Sequence, residues 1–308
     1  LDTGGNPDSP GRAGLAKNPN PMESFMETKT FPRTTVAGVS LPRMLAGTNW
    51  VLGYSHTGGA ADKLIRSLHP GPESIATVME AFLLEGIDAV MGPFTGNALM
   101  QDAVKIAEDR VGKKMIIIDT PPMNVNDSAD ARREAEQIIK ASRKLGATFC
   151  LIHHASAEQL VNKNLRAMPR LPDYLSMIRS EGLLPGLSAH MPELIIYSDA
   201  NNYDVETYIQ IFNCMGFLMQ IEVESVYRTI RAAKKPVMTI KPMAAGRCTP
   251  FVGLSFNFSV LRDIDMVTCG CLTPDEVHED AEIARAAIER RQPVLQGRSS
   301  PAKTDIIK

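Results

Sequence analysis

The feature that most constrains this chain is a recurrence of element type: short apolar runs, each followed by a longer amphipathic segment. The runs lie at 44–50, 89–91, 115–119, 148–153, 184–188, 207–212, 237–240 and 266–269. They are continuous rather than alternating, the pattern of parallel strands covered on both faces. Between them, Ile75, Val78, Met79, Phe82 and Leu83 recur at helical spacing and Gly86 follows as a stop. Residues 129–145 set Ile138, Ile139, Ser142 and Leu145 against a charged face and end at Gly146. The last helix opens at Thr273-Pro-Asp-Glu276, a capping box with proline in its first turn. Eight strand–helix units within 308 residues predict an α/β chain closed as a single (β/α)8 TIM barrel. A doubly wound open sheet is the alternative.

Ahead of the first unit, 29–35 and 39–43 flank Val36-Ala-Gly38, as in a short β-hairpin. A plain barrel does not require it. Its expected place is the bottom of the barrel, which it would close and stabilise. The domain reading is thus a flexible N-terminal extension over 1–28, rich in Gly, Pro and Asn, the barrel over 29–291, and a polar tail over 292–308. Asp2-Thr-Gly4 matches an aspartic-protease triplet, but no apolar strand flanks it, so it reads as chance.

Composition excludes several function classes. The net charge is −2, with 22% charged and 6% aromatic residues and no basic block, so neither nucleic acid nor a membrane surface is an expected partner. The apolar runs are strand-sized, well short of the ~20 residues a membrane helix needs. No basic-then-apolar signal pattern opens the sequence, and five cysteines (an odd number) sit mostly in apolar segments. Reduced core thiols and a cytoplasmic location are the expectation. The expected partner is a small-molecule substrate; the sequence sets no oligomeric state.

The hairpin followed by Leu45-Ala-Gly-Thr-Asn-Trp50 resembles the opening of the aldo-keto reductases, and the likeness runs from about residue 30 to 290. Gly146-Ala-Thr-Phe-Cys-Leu-Ile-His-His154 resembles that superfamily's fourth strand, and Gly182-Leu-Leu-Pro-Gly-Leu-Ser-Ala-His190 its fifth. Tyr208-Ile-Gln-Ile-Phe-Asn213 resembles the sixth, and Lys235-Pro-Val-Met-Thr-Ile-Lys-Pro-Met-Ala-Ala-Gly-Arg247 the seventh strand and its loop. The resemblance implies the barrel fold and NAD(P)-linked reduction by an Asp, Tyr, Lys and His set. In that set the Tyr protonates a carbonyl oxygen and the Lys–Asp pair lowers the Tyr pKa.

This sequence departs from that set. Anchored on Pro93, Val90 takes the Asp position and Thr95 the Tyr position; Asp88 lies two positions away, where a slipped alignment would use it. Asp119 stands where the Lys should be, and only His153 remains of the four. Where the family binds the cofactor's adenosine phosphate, Glu276 and Asp280 replace Arg and Asn. Ser188, Gln210 and Lys241 still match nicotinamide-side positions, which leaves NAD(P) as a doubtful cofactor and Ser188 and Gln210 as its candidate ligands.

Strand ends carry the chemistry of such barrels. Here they present Asn49, Asp119, His153, His154, His190, Gln210, Asn213 and Lys241, with His56 in the first loop. Four of the six histidines therefore gather near one rim. One reading is a divalent metal held by Asp119, His153, His154 and His190, with Glu222 or Glu224 completing the set. The other reading of each imidazole is a satisfied polar group in the barrel mouth.

The functional expectation is metal-assisted or acid–base chemistry of hydrolase, isomerase or lyase type on a small polar substrate such as a sugar or hydroxy acid. Its players are Asp119, His153, His190 and Lys241 as an electrostatic clamp. The alternatives are a divergent NAD(P)-linked oxidoreductase protonating through His153, and a non-catalytic binding relative. Cys269 and Cys271 read as core packing, the Tyr54-Ser-His-Thr-Gly-Gly59 loop as a mobile segment or substrate cradle, and the methionines of 215–219 as core filling.

Overall fold

The structure is a computed structural model that describes residues 28–295. The extensions read at 1–28 and 292–308 lie outside the described residues, apart from Thr28 and Gln292 to Leu295. Two strands, β1 (Arg33–Val36) and β2 (Val39–Pro42), pair antiparallel. Their two-residue turn places Ala37 at φ 49° and Gly38 at φ 81°, the left-handed pair that a tight hairpin requires.

Eight parallel strands follow: β3 (Met44–Gly47), β4 (Ala89–Gly92), β5 (Ile116–Asp119), β6 (Phe149–Ile152), β7 (Leu184–Ala189), β8 (Thr207–Ile211), β9 (Val237–Ile240) and β10 (Met266–Cys269). They are ordered by sequence, and β10 returns to pair with β3 through Val267–Met44, Thr268–Leu45 and Cys269–Ala46. The barrel is closed. All eight predicted runs are strands, with ends moved by up to three residues. The largest shift is at 44–50, where the chain leaves the sheet after Gly47 to form the helical turn Asn49–Leu52.

The predicted helices are Pro72–Leu84, Ala129–Lys144 and Pro274–Glu289. Ser128 caps the second by accepting from Ala131 N, and Thr273 caps the third by accepting from Glu276 N. The return arm of the predicted box is displaced by one residue: Glu276 Oε2 accepts from Leu272 N at 2.6 Å rather than from the cap residue itself. Among the described residues, no helix is long and apolar enough to cross a membrane.

Side chains of the barrel strands alternate between two cores. Leu45, Ala89, Met91, Ile118, Phe149, Leu151, Ile209, Met238 and Met266 fill the interior, while Met44, Val90, Cys150, Leu187, Tyr208 and Val267 face the helical layer. Val36 and Leu41 of the hairpin join the interior cluster. Arg33 bonds Asp88 ahead of β4, and Thr34 donates to Ile264 O ahead of β10. The hairpin thus closes the bottom, the end where strands begin. This placement also removes Asp88 from any role at the mouth.

The closing seam has its own clasp. Arg43, 6% exposed, donates through Nη2 to Arg262 O (2.8 Å), through Nε to Asp265 O (3.2 Å) and through Nη1 to Asp263 Oδ1 (3.3 Å), while Val267 N donates to Arg43 O. Arg43→Ala removes the side-chain donor from the buried Asp265 carbonyl and one of two donors from the Arg262 carbonyl, and should lower stability by about 1–3 kcal/mol in urea unfolding. Asp263→Ala, at a fully exposed carboxylate, should change it little.

Candidate functional site

A cleft of about 930 Å³ lies across the C-terminal mouth of the barrel. Every barrel strand contributes to its lining: Gly47, Gly92, Thr120, His153, Ser188, Ile209, Lys241 and Thr268 mark the eight strand ends in order. Close approach at one of these ends needs glycine. A Cβ on Gly92 would sit 2.1 Å from Thr48 Oγ1.

Three imidazoles form a row at one side. The rings of His153 and His154 have centroids 4.1 Å apart, and those of His154 and His190 also 4.1 Å apart at 63°. His153 follows β6 directly and caps the turn His154–Ala157, its Nδ1 accepting from Ala155 N at 3.3 Å, which leaves the proton of the neutral ring on Nε2. His190 follows β7, and its backbone N–H, with that of Met191, donates to Glu158 Oε1. Burial, reinforced by His154 and Lys241, lowers His153 to about 4 and His190 to about 3. Burial and Lys241 also lower His154 and the exposed His56. Near pH 7 the row is neutral.

Lys241 ends β9 in the left-handed region at φ 60°, immediately before Pro242, a conformation that costs a non-glycine residue about 1–3 kcal/mol. Burial lowers its ammonium to about 8, and no carboxylate compensates it. Among the described residues it forms no ion pair. A half-buried cation without a counter-ion thus faces four imidazoles.

Asp119 is placed differently. It is fully buried, Oδ1 accepting from Phe94 N (2.8 Å) and Thr95 N (3.3 Å) and Oδ2 from the Thr95 hydroxyl (2.5 Å). The carboxylate is taken up by the loop after β4 and does not line the cleft. Thr95 and Asp119, which occupy the Tyr and Lys positions of the resembled set, satisfy one another, and Val90 at the Asp position packs outward among the helices. Among the described residues, the one group of three potential ligand atoms within 4.8 Å of one another is Cys269, Cys271 and Asp280. Asp119 and the imidazoles therefore do not converge on a shared ion. Glu222 and Glu224 are exposed and lie outside the cleft lining.

Of the two nicotinamide-side candidates, Ser188 lines the cleft. Gln210 lies behind its wall, fully buried, with Nε2 donating to His190 O at 3.2 Å. At the far end the lining is Glu276, Glu279 and Asp280, with Arg247 stacked on Phe217 at 3.9 Å. Glu276 already occupies the N–H of Leu272, so carboxylates stand where an adenosine phosphate would need donors. This end does not fit that phosphate.

Sequence reasoning missed Glu158, which holds the His190 backbone, and Thr268, whose buried hydroxyl faces the cleft without a partner. Only the β10 alternation, with Met266 inward and Val267 outward, could have placed Thr268 inward. Asn213 shapes its own loop, accepting from Met215 N and Phe217 N. Met215 is 57% exposed, so the core-filling expectation for that segment does not hold there.

No protein-family model and no curated protein matches the chain. Solved structures do. An aldo-keto reductase from Pseudomonas aeruginosa is 14% identical, with a TM-score of 0.59 over 87% of this chain and 99% of that one. A thermostable aldo-keto reductase with the inhibitor epalrestat is 12% identical, with a TM-score of 0.56 over 84% and 97%. Ribulose-1,5-bisphosphate carboxylase/oxygenase from Pyrococcus horikoshii is 11% identical, with a TM-score of 0.50 over 81% of this chain and 59% of that one. The likeness to aldo-keto reductases extends over nearly their whole length and establishes a shared fold.

The imidazole row makes stability pH-dependent. The unfolded chain takes up protons at its histidines as pH falls through the ordinary value of 6.5, while the folded chain resists until about 4 at His153 and about 3 at His190. Stability should therefore fall as pH drops from 6.5 to about 3. The fall should be smaller in His190→Leu, as read by urea midpoints at successive pH values.

Proposed function

We propose that the cleft is the active site of an acid–base enzyme acting on a small polar substrate with a carbonyl or carboxylate group, a sugar or hydroxy acid. The chemistry is of isomerase or lyase type. The observation that carries this reading is the contact row of three neutral imidazoles beside an unpaired lysine. One neutral imidazole can accept a proton from carbon next to a carbonyl and become imidazolium. That proton, passed along the contacting rings through His154, can then be returned to the enolate by the imidazole at the other end, which leaves the row neutral again. The Lys241 ammonium would stabilise the enolate oxygen that forms between the two steps. His153 and His190 serve as the proton-transfer groups, with His154 between them. Asp119 supports the reading as a positioning residue that holds the loop after β4, and Glu158 holds His190.

The test is proton exchange. In D2O, the protein should catalyse deuterium incorporation next to the carbonyl of members of a panel of aldoses, ketoses and hydroxy acids, followed by NMR. His190→Ala and Lys241→Met should each slow the exchange by roughly 100-fold or more. Absence of exchange across the panel, or equal exchange in the variants, overturns the reading. A nicotinamide-linked reaction is tested separately through Trp50, the single tryptophan, which lines the cleft. Millimolar NADPH should leave its fluorescence unchanged beyond the inner-filter effect; saturable quenching would revive the oxidoreductase reading.

A further inference from the structure

At the end of the cleft opposite the imidazoles, a second cluster is left unused by the proposed chemistry. Cys269 is the last residue of β10 and faces outward, into the layer between the barrel wall and helix Pro274–Glu289. Cys271, two residues on, reaches the same layer, and Asp280 enters it from that helix. The two sulfurs are 3.9 Å apart, and Asp280 Oδ2 lies 3.4 Å from Cys269 Sγ and 3.5 Å from Cys271 Sγ. Exposures are 0%, 1% and 4%.

These three edges have a metric meaning. A tetrahedral zinc ion with Zn–S of about 2.3 Å and Zn–O of about 2.0 Å holds its sulfurs about 3.8 Å apart and each sulfur about 3.5 Å from the oxygen. The observed triangle fits one face of that tetrahedron. Core packing accounts for two buried cysteines but not for a buried carboxylate aimed at both. Among the described residues no cation pairs with Asp280. The contact with Cys271, then burial and Asp280, holds the Cys269 thiol well above its usual pKa. Cys271 is lowered by its contact with Cys269 but pushed up overall, to about 11, by burial and Asp280; burial raises Asp280 to about 6. Both thiols donate to the Asp280 carboxylate, so the three ligand atoms already converge on one point.

We propose that Cys269, Cys271 and Asp280 bind one borderline-soft divalent metal ion of the zinc class, with the fourth coordination position reached from the cleft. Asp280 and the intervening Gly270 both line that cleft. Binding converts two thiols to thiolates and releases two protons, leaving an ion with two thiolates and a carboxylate. A water or a substrate oxygen takes the remaining position. The inference stands on this cluster alone and is independent of the imidazole chemistry. A second cysteine pair, Cys214 and Cys248, has its sulfurs 3.9 Å apart and, among the described residues, belongs to no group of three potential ligands, so it serves as an internal control.

The experiment is a titration of the reduced, chelator-stripped full chain with Co2+ and then Zn2+. One equivalent of Co2+ should bind, with a near-ultraviolet thiolate charge-transfer band and intense visible bands of tetrahedral geometry, and Zn2+ should displace it with release of two protons. Serine at both Cys269 and Cys271 should remove the band and weaken Zn2+ by roughly 100-fold or more; Asp280→Asn should weaken it by about tenfold. Serine at both Cys214 and Cys248, and His154→Ala, should leave binding intact. Should the cysteine variants not fold, full retention of the charge-transfer band and of the two-proton release in the chain with serine at both Cys214 and Cys248 gives the same answer. Absence of stoichiometric binding, loss of the band in the Cys214/Cys248 double-serine variant, or binding that survives in a folded Cys269/Cys271 double-serine variant overturns the proposal.

Discussion

Barrel closure is the constraint on which the rest depends. An open parallel sheet leaves unpaired peptide groups along its two outermost strands, and here both edges are removed by the pairing of β10 with β3. Closure forces alternate side chains inward, so Leu45, Phe149 and Met238 meet in one buried apolar core, and the hairpin seals it with Val36 and Leu41. The Arg43 clasp works at the bottom of this seam. The bottom is stabilising architecture, and the mouth is left free for polar residues.

At the mouth, the same closure concentrates groups that are far apart in sequence. His153, His190 and Lys241 end three different strands, yet they share one desolvated space in which burial dominates every shift. The left-handed backbone at Lys241 is consistent with a site that stores local strain. Thr95 and Asp119 satisfy one another, the hydroxyl bonding the carboxylate, and neither lines the cleft.

The cleft therefore has two chemically different ends, one of neutral imidazoles and the Lys241 ammonium, the other of carboxylates, with two thiols buried behind Asp280. A shared fold with aldo-keto reductases locates both ends without assigning their chemistry, since similar barrels host unrelated reactions. Hydrogen-bond donors for a cofactor phosphate are replaced at the second end by Glu276 and Asp280. Each already has local partners, in Leu272 N–H and in the two thiols.

Apolar runs together with turn and capping residues marked the eight strands, the hairpin around Val36-Ala-Gly38 and the helix start at Thr273, because these depend on local backbone preference and on burial of contiguous residues. They also marked His153, His154, His190 and Lys241 as strand-end residues. They could not tell that Asp119 turns to Thr95, that Gln210 sits behind the wall, or that Asp280 meets both cysteines. Those outcomes depend on the direction of a side chain relative to a different segment. Only the closed barrel, by bringing β4 beside β5 and the last helix against β10, decides that direction.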